Sequence, residues 1–114
     1  MKKLEAIIRS SRFEAVKDGL HEVGVDFFTF YEVKGYGHER SENISYRGAI
    51  YDVGYIGRIK LEIIISENYI AAAVEAIKEA AHTGEKGDGL ILITPVEEIT
   101  NIRTSLKNGE SINI

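Results

Sequence analysis

Closely spaced glycines give the first chemical hint in this chain. Gly84, Gly87 and Gly89 fall within the run TGEKGDG at 83–89. Glycines at this spacing let successive backbone N–H groups turn into one concavity, an anion-binding nest, and the same run also suits a tight turn. Arg103 lies a short way beyond, with Lys86 and Arg58 as further cations, so an anion pocket is one outcome of this arrangement. The Gly-x-x-x-x-Gly-Lys-Ser/Thr pattern of a P-loop is missing. The three histidines, His21, His38 and His82, sit at no metal-ligand spacing. His21 and His82 fall near expected helix C-termini, where an imidazolium suits the helix dipole. His38 instead follows Gly35, Tyr36 and Gly37 at the root of a long polar stretch and is a binding candidate. Cysteine is absent, and no Gly-x-Ser-x-Gly elbow surrounds any serine. No catalytic set emerges, and the expectation is a protein that is not an enzyme. A hydrolytic reaction would have only Glu39, Glu62 or Asp88 to orient water.

The polar stretch is YGHERSENISYRGAIYDVGYIG at 36–57, with Tyr46, Tyr51 and Tyr55 beside Arg40, Arg47 and Glu42. Connections in compact domains usually take about four to six residues. Neither a period of 2 nor one of 3.6 runs through this one, which reads as a protruding loop that meets a partner; the bland alternative is an unstructured insertion. The 114 residues suffice for one domain of two packed layers, 1–114. A net charge of -4 argues against a phosphate-backbone binder, so no nucleic-acid partner is expected. Without cysteine there is neither a disulfide framework nor a thiolate metal site, and no apolar run approaches the roughly 18 residues of a membrane span. The start, MKKLEAIIRSS, is interrupted by Glu5 and Arg9, unlike a signal-peptide core, and a cytoplasmic protein is expected.

The elements that must position these residues follow from periodicity. Residues 2–9 alternate, with Leu4, Ala6 and Ile8 on one face and Glu5, Ile7 and Arg9 on the other, which predicts a strand. Ser11 and Glu14 fit a capping box, and Phe13, Val16, Leu20 and Val23 predict a helix over about 12–23, stopped by Gly24. From Asp26, FFTFYEVKG predicts a second strand. After the long loop, RIKLEIIIS predicts a third, with Ile59, Leu61, Ile63 and Ile65 on one face. Ser66 is a suitable N-cap for a second helix whose apolar stripe is Ile70, Ala73, Val74, Ile77 and Ala81. LILITP predicts a fourth strand, and the remainder mixes a helical turn with a polar tail over about 105–114. Strand, helix, strand, strand, helix, strand is the ferredoxin-like α+β order, with both helices on one face of an antiparallel sheet. The other face would carry Glu5, Ile7, Glu62 and Ile64, a mixed surface suited to contact between subunits.

Four stretches, EVKGYG at 32–37, YRGAIY at 46–51, TGEKGDG at 83–89 and PVEEITNIRT at 95–104, resemble in order and separation the signature segments of the PII nitrogen-regulatory signalling family. MKKLEAII at the start is similar too. The resemblance implies a homotrimer of ferredoxin-like subunits with an adenine nucleotide, ATP or ADP, in the clefts between neighbours. It also implies 2-oxoglutarate binding beside Mg-ATP, and a T-loop, here about 37–56, that docks on an ammonium channel, glutamine synthetase or a signalling enzyme. Contact with a membrane would come only indirectly, through a channel partner. Carried over by position, Ile7, Thr29 and Ile64 would line the adenine pocket; Gly35, Gly37 and His38 would approach from the loop base, with Glu62 beside them. Gly87, Asp88 and Gly89 would hold phosphates through backbone N–H groups, and Arg103 would bring a cation. Glu39 and Arg58 are the candidates for 2-oxoglutarate, Glu39 also for magnesium, and Tyr51 matches the tip tyrosine that some members have nucleotidylylated.

The chain also departs from the family's pattern. Leu90 replaces the lysine after Gly-Asp-Gly, and Asn101 replaces the first arginine of an Arg-x-Arg pair. A charge-assisted hydrogen bond contributes roughly 1.5–3 kcal/mol, so weaker ATP binding or a shift toward ADP or AMP is expected. Glu39 stands for a glutamine and Arg58 for a lysine, which changes charge at one position and hydrogen-bond geometry at the other. Differences over 41–45 and at Gly54 and Gly57 bear on the choice of target. The alternative reading is a trimeric interaction protein that has lost nucleotide and 2-oxoglutarate sensing.

Overall fold

A computed structural model describes residues 1–36, 44–46, 49–51 and 56–110. Strands β1 (Lys2–Arg9), β2 (Thr29–Gly35), β5 (Ile56–Ile65) and β6 (Gly89–Pro95) form one sheet in the order β2-β5-β1-β6, and β3 (Ile44–Tyr46) pairs with β4 (Ala49–Tyr51) in a separate ribbon. Every pairing is antiparallel. Helices α1 (Phe13–Glu22) and α2 (Glu67–Ala81) complete the ferredoxin-like α+β order.

Alternation along β1 and β5 decides which face is core. Leu4, Ala6 and Ile8 of β1 and Ile59, Leu61, Ile63 and Ile65 of β5 are buried against Val16 and Leu20 of α1 and Ala73, Ile77 and Ala81 of α2. Burying an aliphatic side chain of this size contributes roughly 1.5–3 kcal/mol, which sets the register: a one-residue slip would turn every one of these groups outward. The helix stripe expected for α2 is the one observed, with Ile70 and Val74 packed at its margin.

Helix ends differ from expectation in instructive ways. The capping box of Ser11 and Glu14 does not form, because Ser11 is drawn into a 3-10 turn, Ser10–Arg12, that leaves Arg12 at the N-cap with no side-chain cap. Ser66 does occupy the N-cap of α2, in extended conformation, again without a side-chain hydrogen bond. At the other end of α1 the stop is the expected one. Gly24 has φ +87°, its N–H donates to His21 O at 3.0 Å, and Val25 N–H donates to Leu20 O at 2.9 Å. This is a Schellman motif, with Val25 and Leu20 both buried as its apolar contact. The chain from Val25 to Phe28 is thereby used to cross from helix to sheet, with Phe28 set edge-on to Phe13, so β2 begins at Thr29 rather than at Asp26.

The long connection is not without pattern either. The pairs Ile44↔Tyr51, Ser45↔Ile50 and Tyr46↔Ala49 make β3 and β4 a short ribbon, and three residues of alternation are too few to register as a period. Beyond β6 the chain closes a second small ribbon through the bridge Thr100↔Lys107, followed by a 3-10 turn at Asn108–Glu110. No helix among the described residues is long and apolar enough to cross a membrane.

Candidate functional site

The glycine run between α2 and β6 is organised by a carboxylate. Asp88 Oδ2 accepts the N–H groups of Thr83 (2.8 Å) and Gly84 (2.9 Å), and Asp88 Oδ1 accepts the Thr83 hydroxyl and Arg9 Nε (3.1 Å). The Thr83 hydroxyl also accepts the Glu85 N–H at 3.2 Å. Two N–H groups that an external anion could have taken are thus occupied by the loop's own side chain, and the run is a tied turn before it is a nest. Donation by Thr83, first from its hydroxyl and then from its N–H, with Gly84 and Arg9 adding to it, holds the Asp88 carboxyl well below the usual carboxylate range.

Two arginines clamp the same turn from the sheet. Arg9 and Arg58 are cross-strand partners on β1 and β5. Arg9 Nη2 donates to Lys86 O at 2.8 Å, and Arg58 Nη1 donates to Gly87 O. Arg58 is 3 % exposed, a depth that a guanidinium tolerates when its donors are met. Gly87 and Gly89 have φ +92° and +109°, and a Cβ on Gly89 would stand 1.8 Å from Ile7 O. Only glycine fits there. Leu90 then enters β6 as the cross-strand partner of Ile7 on the face away from the helices, so an apolar pair of half-exposed Leu90 and partly buried Ile7 adjoins the loop.

The residues predicted from the sequence fall into two groups. Ile7, Arg58, Gly87, Asp88 and Gly89 gather at one end of the sheet, where Gly35 pairs with Ile56 near by. Thr29, Glu62 and Ile64 lie farther along: Thr29 pairs with Glu62, Thr29 Oγ1 donates to Glu62 O at 3.5 Å, and Ile64 pairs with Lys3. Four strand steps of β5 separate Arg58 from Glu62, about 13 Å at the rise of a strand. Arg103 lies on a different segment from the glycine turn. It is exposed, on the ribbon that follows the Pro95 end of β6, whereas the turn feeds the Gly89 end, about 20 Å away along the strand. Gly37, His38 and Glu39 lie outside the described residues; Tyr51 ends β4.

Sequence reasoning left out Arg9, although it follows Ile7 by one strand period and so shares its face. It also missed how the helix-free face is wired. Glu5 lies 2.8 Å from Lys3 Nζ and 3.4 Å from Lys60 Nζ, Lys3 is 3.8 Å from Glu62, and the Tyr31 hydroxyl donates to Glu62 Oε1 at 3.0 Å. The hydrogen bond with Lys3 lowers the Glu5 carboxyl and raises the Lys3 ammonium from their ordinary values. Half-exposed Leu90 and Leu92 flank this ladder on β6.

A family model described as nitrogen regulatory protein P-II matches residues 1–106. Among curated proteins, a nitrogen regulatory protein P-II of Azospirillum brasilense is 46% identical over 112 residues, 98% of this chain and 100% of its own length. Those of Rhodospirillum rubrum and Nostoc punctiforme are 41% and 42% identical over 112 residues, each again covering 98% of this chain and the whole relative.

Proposed function

Because the chain belongs to the nitrogen regulatory protein P-II family, we propose that it is a regulator, not an enzyme, that binds an adenine nucleotide between subunits of a homotrimer. The observation that carries this reading is the division of the candidate site. One subunit offers Ile7, Gly35, Arg58 and the turn Gly87, Asp88 and Gly89 toward one end of its sheet, and Thr29, Glu62 and Ile64 farther along, with Arg58 and Glu62 about 13 Å apart. Facing copies bring the first group of one subunit to the second group of another, and the ladder of Lys3, Glu5, Lys60 and Glu62 with exposed Leu90 and Leu92 is the surface on which they pack.

In the assembled cleft the nucleotide's ring lies against Ile7, Thr29 and Ile64, its phosphates meet the turn tied by Asp88, and Arg103 arrives from the neighbouring copy. Gly37 and His38 close the cleft from the loop base. Leu90 and Asn101 offer no cation, so ADP and AMP are held nearly as well as ATP. Magnesium would come with the phosphates, with Glu39 as its candidate ligand from the protein. Arg58, and Glu39 on the loop, are the groups that would meet 2-oxoglutarate. Nucleotide and effector together shift the population of the 37–56 loop, which is read by a target such as an ammonium channel, glutamine synthetase or a signalling enzyme in the cytoplasm, and Tyr51 is available there for modification.

Calorimetry with ATP, ADP and AMP, with and without 2-oxoglutarate, tests the ligand half of this proposal. Binding of none of them at tens of micromolar would leave a trimeric interaction protein without sensing. Deleting residues 40–54 tests the other half: partner capture is lost and the trimer persists. An unchanged set of captured proteins refutes the loop as reading head.

A further inference from the structure

Asn101 stands where the resemblance led us to expect a phosphate-facing cation, and the structure gives its side chain a different occupation. Asn101 Oδ1 accepts the N–H groups of both Arg103 (2.9 Å) and Thr104 (3.0 Å). Its backbone completes the turn: Asn101 O accepts Ser105 N–H at 2.9 Å, and Asn101 N–H donates to Leu106 O at 2.9 Å. Thr104 Oγ1 accepts Leu106 N–H at 3.2 Å, and the bridge Thr100↔Lys107 closes the ribbon behind it. Ser105 is held at φ +63°, a conformation L side chains rarely adopt, so the turn is over-determined by these bonds. Its apex is fully exposed Ile102 and exposed Arg103.

From this geometry we infer that Asn101 is a positioning residue. It fixes the backbone of Arg103 so that the guanidinium is presented from a closed turn to the anion site of an adjoining copy, and its side-chain oxygen serves the turn and not the ligand. The inference rests on the nucleotide reading above. It follows from the chemistry of the amide: an oxygen that already accepts two backbone N–H groups has little capacity left for a ligand, and a phosphate offers no donor to it at neutral pH. Arginine, extended and cationic, would not supply this short acceptor. The exchange of arginine for asparagine therefore replaces one direct charge by the ordering of the remaining one.

The sign of the effect of added charge separates positioning from contact. Asn101→Asp keeps an acceptor in place and strengthens it, yet sets a negative charge near an anionic ligand. In Asn101→Ala the acceptor is gone. We measure tryptic cleavage after Arg103 and calorimetric affinity for ADP on the full chain. Asn101→Ala is expected to speed cleavage and weaken ADP binding by about fivefold, the effect of a lost cap, while Asn101→Asp restores both to within about twofold of wild type. Weaker binding in Asn101→Asp with cleavage unchanged overturns the inference, since it marks a ligand contact. So does faster cleavage in Asn101→Ala with ADP affinity intact, which severs the turn from the site. A wild-type chain that binds no ADP refutes the nucleotide reading itself, and that failure is visible before any variant is compared.

Discussion

The turn before β6 and the turn after it carry the two ends of the proposed site, and they differ in how far their ties reach. Residues 83–89 are tied within the turn by Asp88 and Thr83 and are also clamped by groups remote in sequence: Arg9 from β1, Arg58 from β5 and the carbonyl of Ile7 pressed against Gly89. Residues 101–106 are held almost wholly by themselves, through Asn101 and Thr104. The clamps on the first turn come with the sheet, whereas the hydrogen bonds named for the second span no more than five residues. A site assembled from one of each has one wall tied across the sheet and one tied within its own turn.

Substitutions test that contrast, the most severe first. Gly89→Ala places a Cβ into Ile7 O at φ +109°, and a loss of stability on the order of 3 kcal/mol is expected in denaturant unfolding. A cost below about 1 kcal/mol would mean that the first turn is not fixed by the sheet.

Asp88→Asn has a smaller effect, and one that depends on pH. The folded carboxyl is depressed, so the stability it contributes is present above the ordinary aspartate range, about 3.9, and is lost as pH falls through the lower folded value. The variant should melt below wild type at neutral pH, with the gap narrowing under strong acid. A gap that widens on acidification contradicts the assignment of Asp88 as the ionised tie.

In the second turn, Ser105→Gly relieves a left-handed conformation that costs an L residue roughly 1–2 kcal/mol, partly offset by glycine's greater freedom when unfolded. A gain of about 0.5 kcal/mol, read as a small rise in melting temperature, is expected. Ile102→Ala should change the stability of the subunit by no more than about 0.5 kcal/mol, because its side chain touches little. A larger loss that grows with protein concentration would show Ile102 buried between copies.

How much of this was legible beforehand depended on the reach of the contacts involved. The α2 stripe, the alternation of β1 and β5 and the Gly24 stop are local patterns with a built-in period, and each appeared where expected. The failed capping box at Ser11 has a tertiary cause, since the 3-10 turn there sets how α1 leaves β1. Arg9 was overlooked because nothing within its own segment distinguishes a strand-end arginine in solvent from one that reaches across 79 positions to Asp88. Arg103 was the first cation named for the glycine turn, with Lys86 and Arg58 as further candidates, and it took the sheet to set Arg58 against Gly87.

The order of residues, taken by itself, determined the α+β architecture, the face of each element that turns inward and the family, because hydrophobic period and short motifs are properties of neighbours along the chain. Only the tertiary structure decided that Arg9 would reach Asp88 and that Arg9 and Arg58 would share one turn. Each of these depends on which hydrogen-bond donors the fold brings within about 3 Å of an acceptor, and sequence separation carries no information about that distance.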